Sequence, residues 1–299
     1  MFYSEGPAEQ RTFMALPENP GIIDLMLNIP DPNDRSWYDF LEPLLLDEAS
    51  RNFKKMPAEH LFRNIPEISA QSDYVAWTVS QMDQYGIDKA MVGVSSPLNQ
   101  EALRRYPERF FASFNPDPNR GMEAVRAIVA MKEEWDIKAV TAFPAGLCPQ
   151  VPLNDKKWYP IYAKCVELEL PFCPCVGVPG PRVPMGAQKV ELLDEVCWFF
   201  PELTIVMRHG AHPWEDLAVK LMLKYPNLYY MTSAYAPKRY PEAILKFANT
   251  RGARKILYAG YFPMGLSLEQ SFAELPDVPL KEEVWPWFLR KNAMQVFRL

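Results

Sequence analysis

The sequence lacks the features that would direct the protein to a membrane or to nucleic acid. No apolar run approaches the length of about eighteen residues that a spanning helix requires, and the first twenty residues contain no apolar signal segment. Basic residues do not dominate either, because 32 Lys and Arg stand against 37 Asp and Glu, for a net charge of −5. We therefore expect no nucleic acid and no membrane among the partners, and a cytoplasmic location.

Cysteine is scarce, whereas proline is abundant. Five cysteines in 299 residues, without a secretory signal, indicate free thiols in a reducing compartment. The thirty prolines are about twice the usual share, and they lie at the ends of segments, which is typical of rigid loops. Hydrophobic residues make up 48% of the chain, enough for a substantial core without disulfides.

Short apolar runs alternate with longer amphipathic stretches along most of the chain. A buried strand is predicted at residues 21–27, followed by an irregular section over residues 30–70 that is rich in proline, aspartate and aromatic residues. Further strands are predicted at 90–94, 110–114, 138–141, 171–176, 203–208, 228–231 and 255–259. Helices are predicted at 73–85, 97–106, 119–134, 158–169, 187–199, 214–224, 239–250 and 281–295.

Eight strands separated by helices indicate a parallel sheet that is covered on its outer face. Eight such units close naturally into a (β/α)8 TIM barrel. We expect one domain, residues 1–299, with residues 30–70 inserted after strand 1 over the barrel mouth, since a long proline-rich segment has no place in the wall. An open doubly wound sheet is the alternative, but the sequence has neither a G-x-G-x-x-G turn nor a G-x-x-x-x-G-K-[ST] loop.

Catalytic groups of such barrels project from the C-terminal ends of the strands. Of the residues that the sequence places there, the site candidates are Asp24, Met26, Asn28, Cys173, Cys175, Arg208, His209 and Tyr261.

Seven further segments carry a resemblance to a known family. In chain order they are MDQYGIDKAMV, YPERFFASFNPDP, LNDKKWYPIYAKCVELELPF, FPELTIVMRHGAHPWED, KYPNLYYMTS, KILYAGYFP and NAMQVFRL, with GIIDLMLNIP as the first strand. This order resembles the amidohydrolase-related family that includes carboxymuconate-semialdehyde and resorcylate-type decarboxylases. The resemblance implies a distorted (β/α)8 barrel with one divalent metal in its mouth.

The chain departs from that family at the metal ligands. Where the family carries D-x-H-x-H on its first strand, this sequence has Asp24-Leu-Met26-Leu-Asn28. The family's strand-5 histidine falls on Cys175 and its strand-8 aspartate on Tyr261, and only the strand-6 histidine is kept, as His209. A thioether, a carboxamide and a phenol do not replace two imidazoles and a carboxylate. The expectation is therefore that the inherited metal site is lost and that no cofactor is bound.

Each candidate residue has a chemical and a structural interpretation. His209 is a general acid or base, or a hydrogen-bonded residue kept from an ancestral site. Cys173 and Cys175 share one side of strand 5, so with His209 they could hold zinc, or Cys175 could be a nucleophile; buried free thiols are the alternative. Asp24 is a buried acid with a raised pKa or a cap for backbone amides. Tyr261 donates to a ligand or fills the space of the metal.

Two functional classes follow. The first is a non-catalytic accessory subunit that pairs with a metal-bearing homologue, or with itself, because losing the cofactor removes the family's main source of transition-state stabilisation. The alternative is a metal-independent hydrolase or decarboxylase-like lyase that acts on a small carboxylated or aromatic molecule. There His209 would be the acid or base, and Arg208, Asn28 and Tyr261 would bind the ligand. An intact ligand pocket favours the enzyme, and a large exterior apolar patch favours the subunit.

Overall fold

Eight parallel strands form the centre of the protein, whose computed structural model describes residues 21–31 and 36–299. Each strand pairs with the next one along the chain, and no antiparallel pair occurs among the residues in these two ranges. The strands are β1 Ile22–Asp24, β2 Ile87–Gly93, β3 Phe110–Phe114, β4 Ala139–Ala142, β5 Phe172–Pro174, β6 Ile205–Met207, β7 Leu228–Met231 and β8 Ile256–Leu257.

The two ends of this strand order meet at a seam. Leu27, just after β1, forms a parallel bridge with Phe262, just after β8, and the Asn28 amide donates to the Phe262 carbonyl at 3.0 Å. The predicted TIM-barrel class is therefore confirmed.

Helices follow the strands in the alternation that the sequence predicts. They are α1 Glu48–Arg51, α2 Tyr74–Gln84, α3 Pro97–Arg105, α4 Met122–Trp135, α5 Tyr159–Glu167, α6 Leu193–Phe199, α7 Glu215–Lys224, α8 Glu242–Phe247, α9 Leu268–Glu274 and α10 Asn292–Phe297. The Asp73 carboxylate caps α2 by accepting from the Ala76 amide, and Gly86, at φ 68°, follows its last turn. None of the described helices is long and apolar enough to cross a membrane.

Two of the predicted helices differ from the expectation. The helix expected at 239–250 begins only after Pro241. Proline lacks the backbone donor that a helix interior needs. The one expected at 281–295 is helical over residues 282–297 but not uniform, because a 3₁₀ turn, Glu282–Val284, and a wider π-helical turn, Trp287–Lys291, precede α10. The predicted helix at 187–199 begins with two 3₁₀ turns, because apolar periodicity does not separate these from an α-helix.

The section after β1 is irregular, as predicted. Its described part holds a 3₁₀ helix, Ser36–Leu44, the single turn of α1 and a second 3₁₀ turn, Glu59–Leu61, but no strand. Residues 1–20 and 32–35 lie outside the described chain, so the expected single domain of residues 1–299 stays a prediction.

The barrel interior is filled by one apolar side chain from each strand, and α10 covers one end of it. The strand residues are Ile23, Met91, Phe111, Ala139, Cys173, Val206, Met231 and Leu257. Ala293 and Phe297 of α10 join this cluster, and the Phe297 ring lies 5.9 Å from that of Phe111. A ligand must therefore bind at the other end, where the strands terminate.

We predict that Phe297→Ala lowers the free energy of unfolding by about 3–5 kcal/mol, since it leaves a cavity in this cluster. Phe199→Ala, whose ring is 55% exposed on α6, is the matched control and should cost about 1 kcal/mol or less. Urea denaturation followed by circular dichroism measures both. Equal losses in the two variants would show that α10 does not pack into the barrel.

Candidate functional site

An open cavity of about 1960 Å³ lies where the strands terminate. Its wall combines residues that follow the strands with residues of the irregular section after β1. Six of the eight residues that the sequence nominated line it, namely Met26, Asn28, Cys175, Arg208, His209 and Tyr261. The other two, Asp24 and Cys173, are fully buried and do not line it.

Arg208 supplies a buried positive charge to this cavity. The residue is only 8% exposed, its Nη2 donates to the Met26 sulfur at 2.8 Å, and its Nε is buried without a partner. No Asp or Glu within residues 21–31 and 36–299 forms an ion pair with it. A buried charge without an opposite charge is costly, and a thioether is a weak acceptor. The guanidinium is therefore available to an anionic ligand.

His209 begins a strained turn directly after Arg208. His209, Gly210 and Ala211 have φ values of 64°, 85° and 60°, in the left-handed region. Only glycine fits the second position, because a Cβ there would lie 2.1 Å from the Tyr235 ring. Ser233, buried after β7, holds the turn: its Oγ accepts from the His209 amide at 3.0 Å and lies 3.2 Å from His209 Nδ1. Such strain persists where surrounding contacts enforce it, often at functional sites.

The surroundings of His209 keep its ring neutral. Burial, and secondly the charge of Arg208, hold the pKa of His209 well below its usual value. The ring meets Tyr261 edge-to-face, with 5.6 Å between centroids, and Tyr261 in turn stacks on Phe62 at 5.5 Å. Burial raises the pKa of Tyr261, so its phenol stays protonated. Together these three rings form an aromatic wall beside the guanidinium.

Asn28 is held by neighbours that the sequence did not nominate. Its Oδ1 accepts from Asn99 Nδ2 at 3.1 Å, and its own Nδ2 approaches the Met264 sulfur at 3.8 Å. Asn99, in the first turn of α3, also accepts from the Ile29 amide at 3.2 Å. It therefore fixes the end of β1 against α3.

The two strand-5 cysteines lie in different environments. Cys173 belongs to the barrel interior, whereas Cys175 lines the cavity. Burial raises the pKa of the Cys175 thiol, although the charge of Arg208 acts in the opposite direction. Cys175 is therefore a protonated thiol, which does not favour a thiolate nucleophile. The zinc set of Cys173, Cys175 and His209 is not assembled, and no three His, Cys, Asp or Glu side chains in the described chain converge to hold a metal.

Asp24 lies below the cavity and links the two strands at the seam. Its Oδ1 accepts from the amides of Met26, at 2.9 Å, and Gly260, at 2.8 Å, while Oδ2 is buried without a partner. Burial raises the pKa of Asp24 to about 6, although the two amide hydrogen bonds lower it.

The cavity is cationic although the whole chain is acidic. Among the described residues, its lining includes the cations Lys54, Lys55, Arg63, Arg182, Arg208, Lys238 and Arg239 and the anions Asp31 and Glu67. Of these cations, Lys55, Arg182 and Lys238 form ion pairs with Glu67, Asp47 and Glu274. Such a wall attracts anions into the mouth. The sequence did not reveal this, because apart from Arg208 these cations come from loops far apart in the chain.

Comparison with known proteins identifies relatives of this architecture. A family model described as amidohydrolase matches residues 35–299. An uncharacterised TIM-barrel protein from Bordetella bronchiseptica has a TM-score of 0.70, with 21% identity over 93% of this chain and 98% of that one. No curated protein sequence matches this chain significantly.

Two further similar structures contain manganese. A 5-carboxyvanillate decarboxylase from Novosphingobium aromaticivorans, complexed with manganese and 4-hydroxy-3-methoxy-5-nitrobenzoic acid, has a TM-score of 0.63 at 15% identity, over 93% of this chain and 96% of that one. A dihydroxybenzoic acid decarboxylase from Polaromonas, with manganese and 2-nitroresorcinol, has a TM-score of 0.61 at 15% identity, over 93% and 97%. At such identities they establish the fold. Their manganese contradicts the expectation that no cofactor is involved, which was wrong.

We predict that the stability of the protein falls as pH rises through the titration of Asp24. The unfolded chain releases this proton near its usual value of 3.8 and the folded protein only near 6, so stability is lost between these values and stays lower above them. Asp24→Asn removes this loss, and we expect the variant to gain on the order of 3 kcal/mol relative to wild type between pH 4 and pH 7.

Urea denaturation at several pH values measures the difference between the two proteins. Asp216→Asn, an exposed position on α7, controls for the loss of one carboxylate. A difference between wild type and Asp24→Asn that does not change with pH would contradict the assignment.

Proposed function

The chain belongs to the amidohydrolase family, whose model covers residues 35–299, and from this premise we propose that it is a carbon–carbon lyase acting on a small aromatic carboxylate. The observation that carries the proposal is the Arg208 guanidinium, buried at the cavity wall without a carboxylate partner among residues 21–31 and 36–299. This buried guanidinium supports a ligand that carries a carboxylate.

A carboxylate can accept hydrogen bonds from the guanidinium donors of Arg208 that have no strong acceptor. Its Nε has no partner and its Nη2 is engaged only by the Met26 thioether, which a carboxylate displaces easily. Guanidinium and carboxylate form two parallel hydrogen bonds, stronger than neutral ones. The other cations of the cavity lining, here called the rim cations, add a longer-range attraction that draws an anion toward the site.

An aromatic ligand suits the wall beside Arg208. The stacked Phe62 and Tyr261, with the His209 ring, offer flat apolar surface in the same cavity wall as the guanidinium. Two similar structures are decarboxylases crystallised with substituted aromatic rings, which supports the same class of ligand here.

The reaction in this class replaces a ring carboxylate by hydrogen. The bond between the ring carbon and the carboxyl carbon breaks, carbon dioxide leaves, and the electron pair left on the ring carbon takes up a proton. His209 is the group placed to handle that proton. A bound carboxylate beside it opposes the effect of the Arg208 charge and so raises the pKa of His209.

The manganese of the relatives needs a ligand set that the described residues do not offer. Manganese prefers carboxylate, imidazole and other oxygen donors. The corresponding wall presents the Met26 thioether, the Asn28 carboxamide and the protonated Cys175 and Tyr261, and the charge of Arg208 would repel a cation. The residues do not fit the ion, and no step above is derived through it.

The comparisons favour the enzyme over an accessory subunit. An intact ligand pocket is the feature by which the sequence analysis favoured the enzyme, and both manganese-containing relatives are decarboxylases. Pairing with a homologous subunit or with itself stays a prediction.

We predict that Arg208→Met weakens the binding of 4-hydroxy-3-methoxy-5-nitrobenzoate by about tenfold to a hundredfold, the usual worth of hydrogen bonds to a charged group. Arg239→Met, which removes an exposed cation from the wall of the same cavity, should change affinity by less than about threefold, because water screens its charge. Isothermal titration calorimetry measures both.

Thermal unfolding serves as the folding control for these variants. Methionine removes an unpaired buried charge, so Arg208→Met should be at least as stable as wild type. Equal losses of affinity in the two variants would mean that only the net charge of the cavity matters, and the proposal would then fail.

A further inference from the structure

The Ser233 hydroxyl makes both of its hydrogen bonds with a single residue. Its oxygen accepts from the His209 amide at 3.0 Å and lies 3.2 Å from His209 Nδ1. Ser233 is fully buried, and its hydroxyl has no other partner in the described parts of the chain. Among the described residues, the only acceptor for the hydroxyl hydrogen is therefore Nδ1.

This count of donors and acceptors determines which ring nitrogen of His209 carries the proton. If Nδ1 carried the proton, the Ser233 oxygen would accept twice and its own hydrogen would be buried unpaired, which is costly. If Ser233 donates to Nδ1, every group of the pair is satisfied. The single proton of the neutral ring then lies on Nε2.

We infer that Ser233 is a positioning residue that holds His209 in the Nε2–H tautomer and turns this N–H toward the cavity. Nε2 has no protein partner among the described residues, and it is not one of the enclosed polar atoms that lack one. His209 itself lines the cavity beside Arg208. The N–H is therefore open to whatever binds there.

The strained turn maintains this arrangement. Tyr230, in β7, donates its hydroxyl hydrogen to the Gly210 carbonyl at 3.1 Å, and the Tyr235 ring packs against Gly210. These contacts aim the His209 amide at Ser233 while its backbone keeps a φ of 64°. The turn that begins at His209 and the Ser233 hydroxyl thus act together, and they set both the orientation and the tautomer of the His209 ring.

The tautomer assigns a role to His209 before any ligand binds. A neutral ring with Nδ1 occupied and a proton on Nε2 is a hydrogen-bond donor to the cavity, not a base. Next to the guanidinium it gives a carboxylate a second donor of different geometry. This use of the N–H rests on the proposed function, whereas the tautomer and the role of Ser233 do not.

Nitrogen NMR tests the assignment directly, because the sequence of 299 residues contains three histidines. In the ¹⁵N-histidine-labelled protein, long-range proton–nitrogen correlation distinguishes protonated from unprotonated ring nitrogens, and His209→Gln identifies the signals. We expect His209 to show a protonated Nε2 and an unprotonated Nδ1. In Ser233→Ala, both nitrogens should move toward shifts averaged over the two tautomers.

Ser271→Ala, which removes another buried serine hydroxyl outside the cavity lining, should leave the His209 signals unchanged. A protonated Nδ1 in the wild type, or His209 signals unaltered by Ser233→Ala, would overturn the inference. Addition of 4-hydroxy-3-methoxy-5-nitrobenzoate tests the proposed function separately. If that probe leaves Nε2 unshifted, the proposed function fails while the role of Ser233 stands.

Discussion

The positive charge of Arg208, held inside the barrel mouth with no carboxylate of the described residues paired to it, is the constraint on which the site depends. Backbone hydrogen bonds fix the residue between strands, since its amide donates to the Pro174 carbonyl at 2.9 Å and its carbonyl accepts from Val176 at 3.1 Å. The backbone of Arg208 is therefore fixed at the mouth, where its guanidinium is buried against Met26. Its charge helps to keep His209 neutral, lowers the otherwise raised pKa of the Cys175 thiol, and leaves an anion as the natural ligand.

The fold supplies the rest of the site by filling one end of the barrel and leaving the other open. The apolar layer around Phe111 and Phe297 excludes ligands from the interior. At the opposite end, the Asp24 carboxylate of β1 accepts from the Gly260 amide after β8, and Ser233 after β7 holds the turn after β6. Neighbouring strands thus fix each other's terminal residues, which gives the cavity a rigid floor beneath a wall built partly from the section after β1.

Much of the fold could be predicted from the sequence, and less of the site. Continuous apolar runs mark all eight strands, and the strand-end rule nominates six residues that do line one cavity. Alternation correctly places Cys173 and Cys175 on one side of β5. It does not show how far along the barrel each residue lies, and that position decides whether a side chain belongs to the interior or to the cavity. Ser233 is 24 positions from His209, so only the tertiary structure pairs them. Phe62 and the rim cations lie in loops without a periodic pattern, so the sequence did not nominate them. The lost ligand positions wrongly suggested that no cofactor is involved.

The most direct test of this account is a crystal structure of the protein with 4-hydroxy-3-methoxy-5-nitrobenzoate. The account predicts that the carboxylate contacts the Arg208 guanidinium, displaces the Met26 sulfur from Nη2, and lies within hydrogen-bonding distance of His209 Nε2. It is contradicted if the carboxylate binds only to the rim cations while Arg208 keeps its contact with Met26.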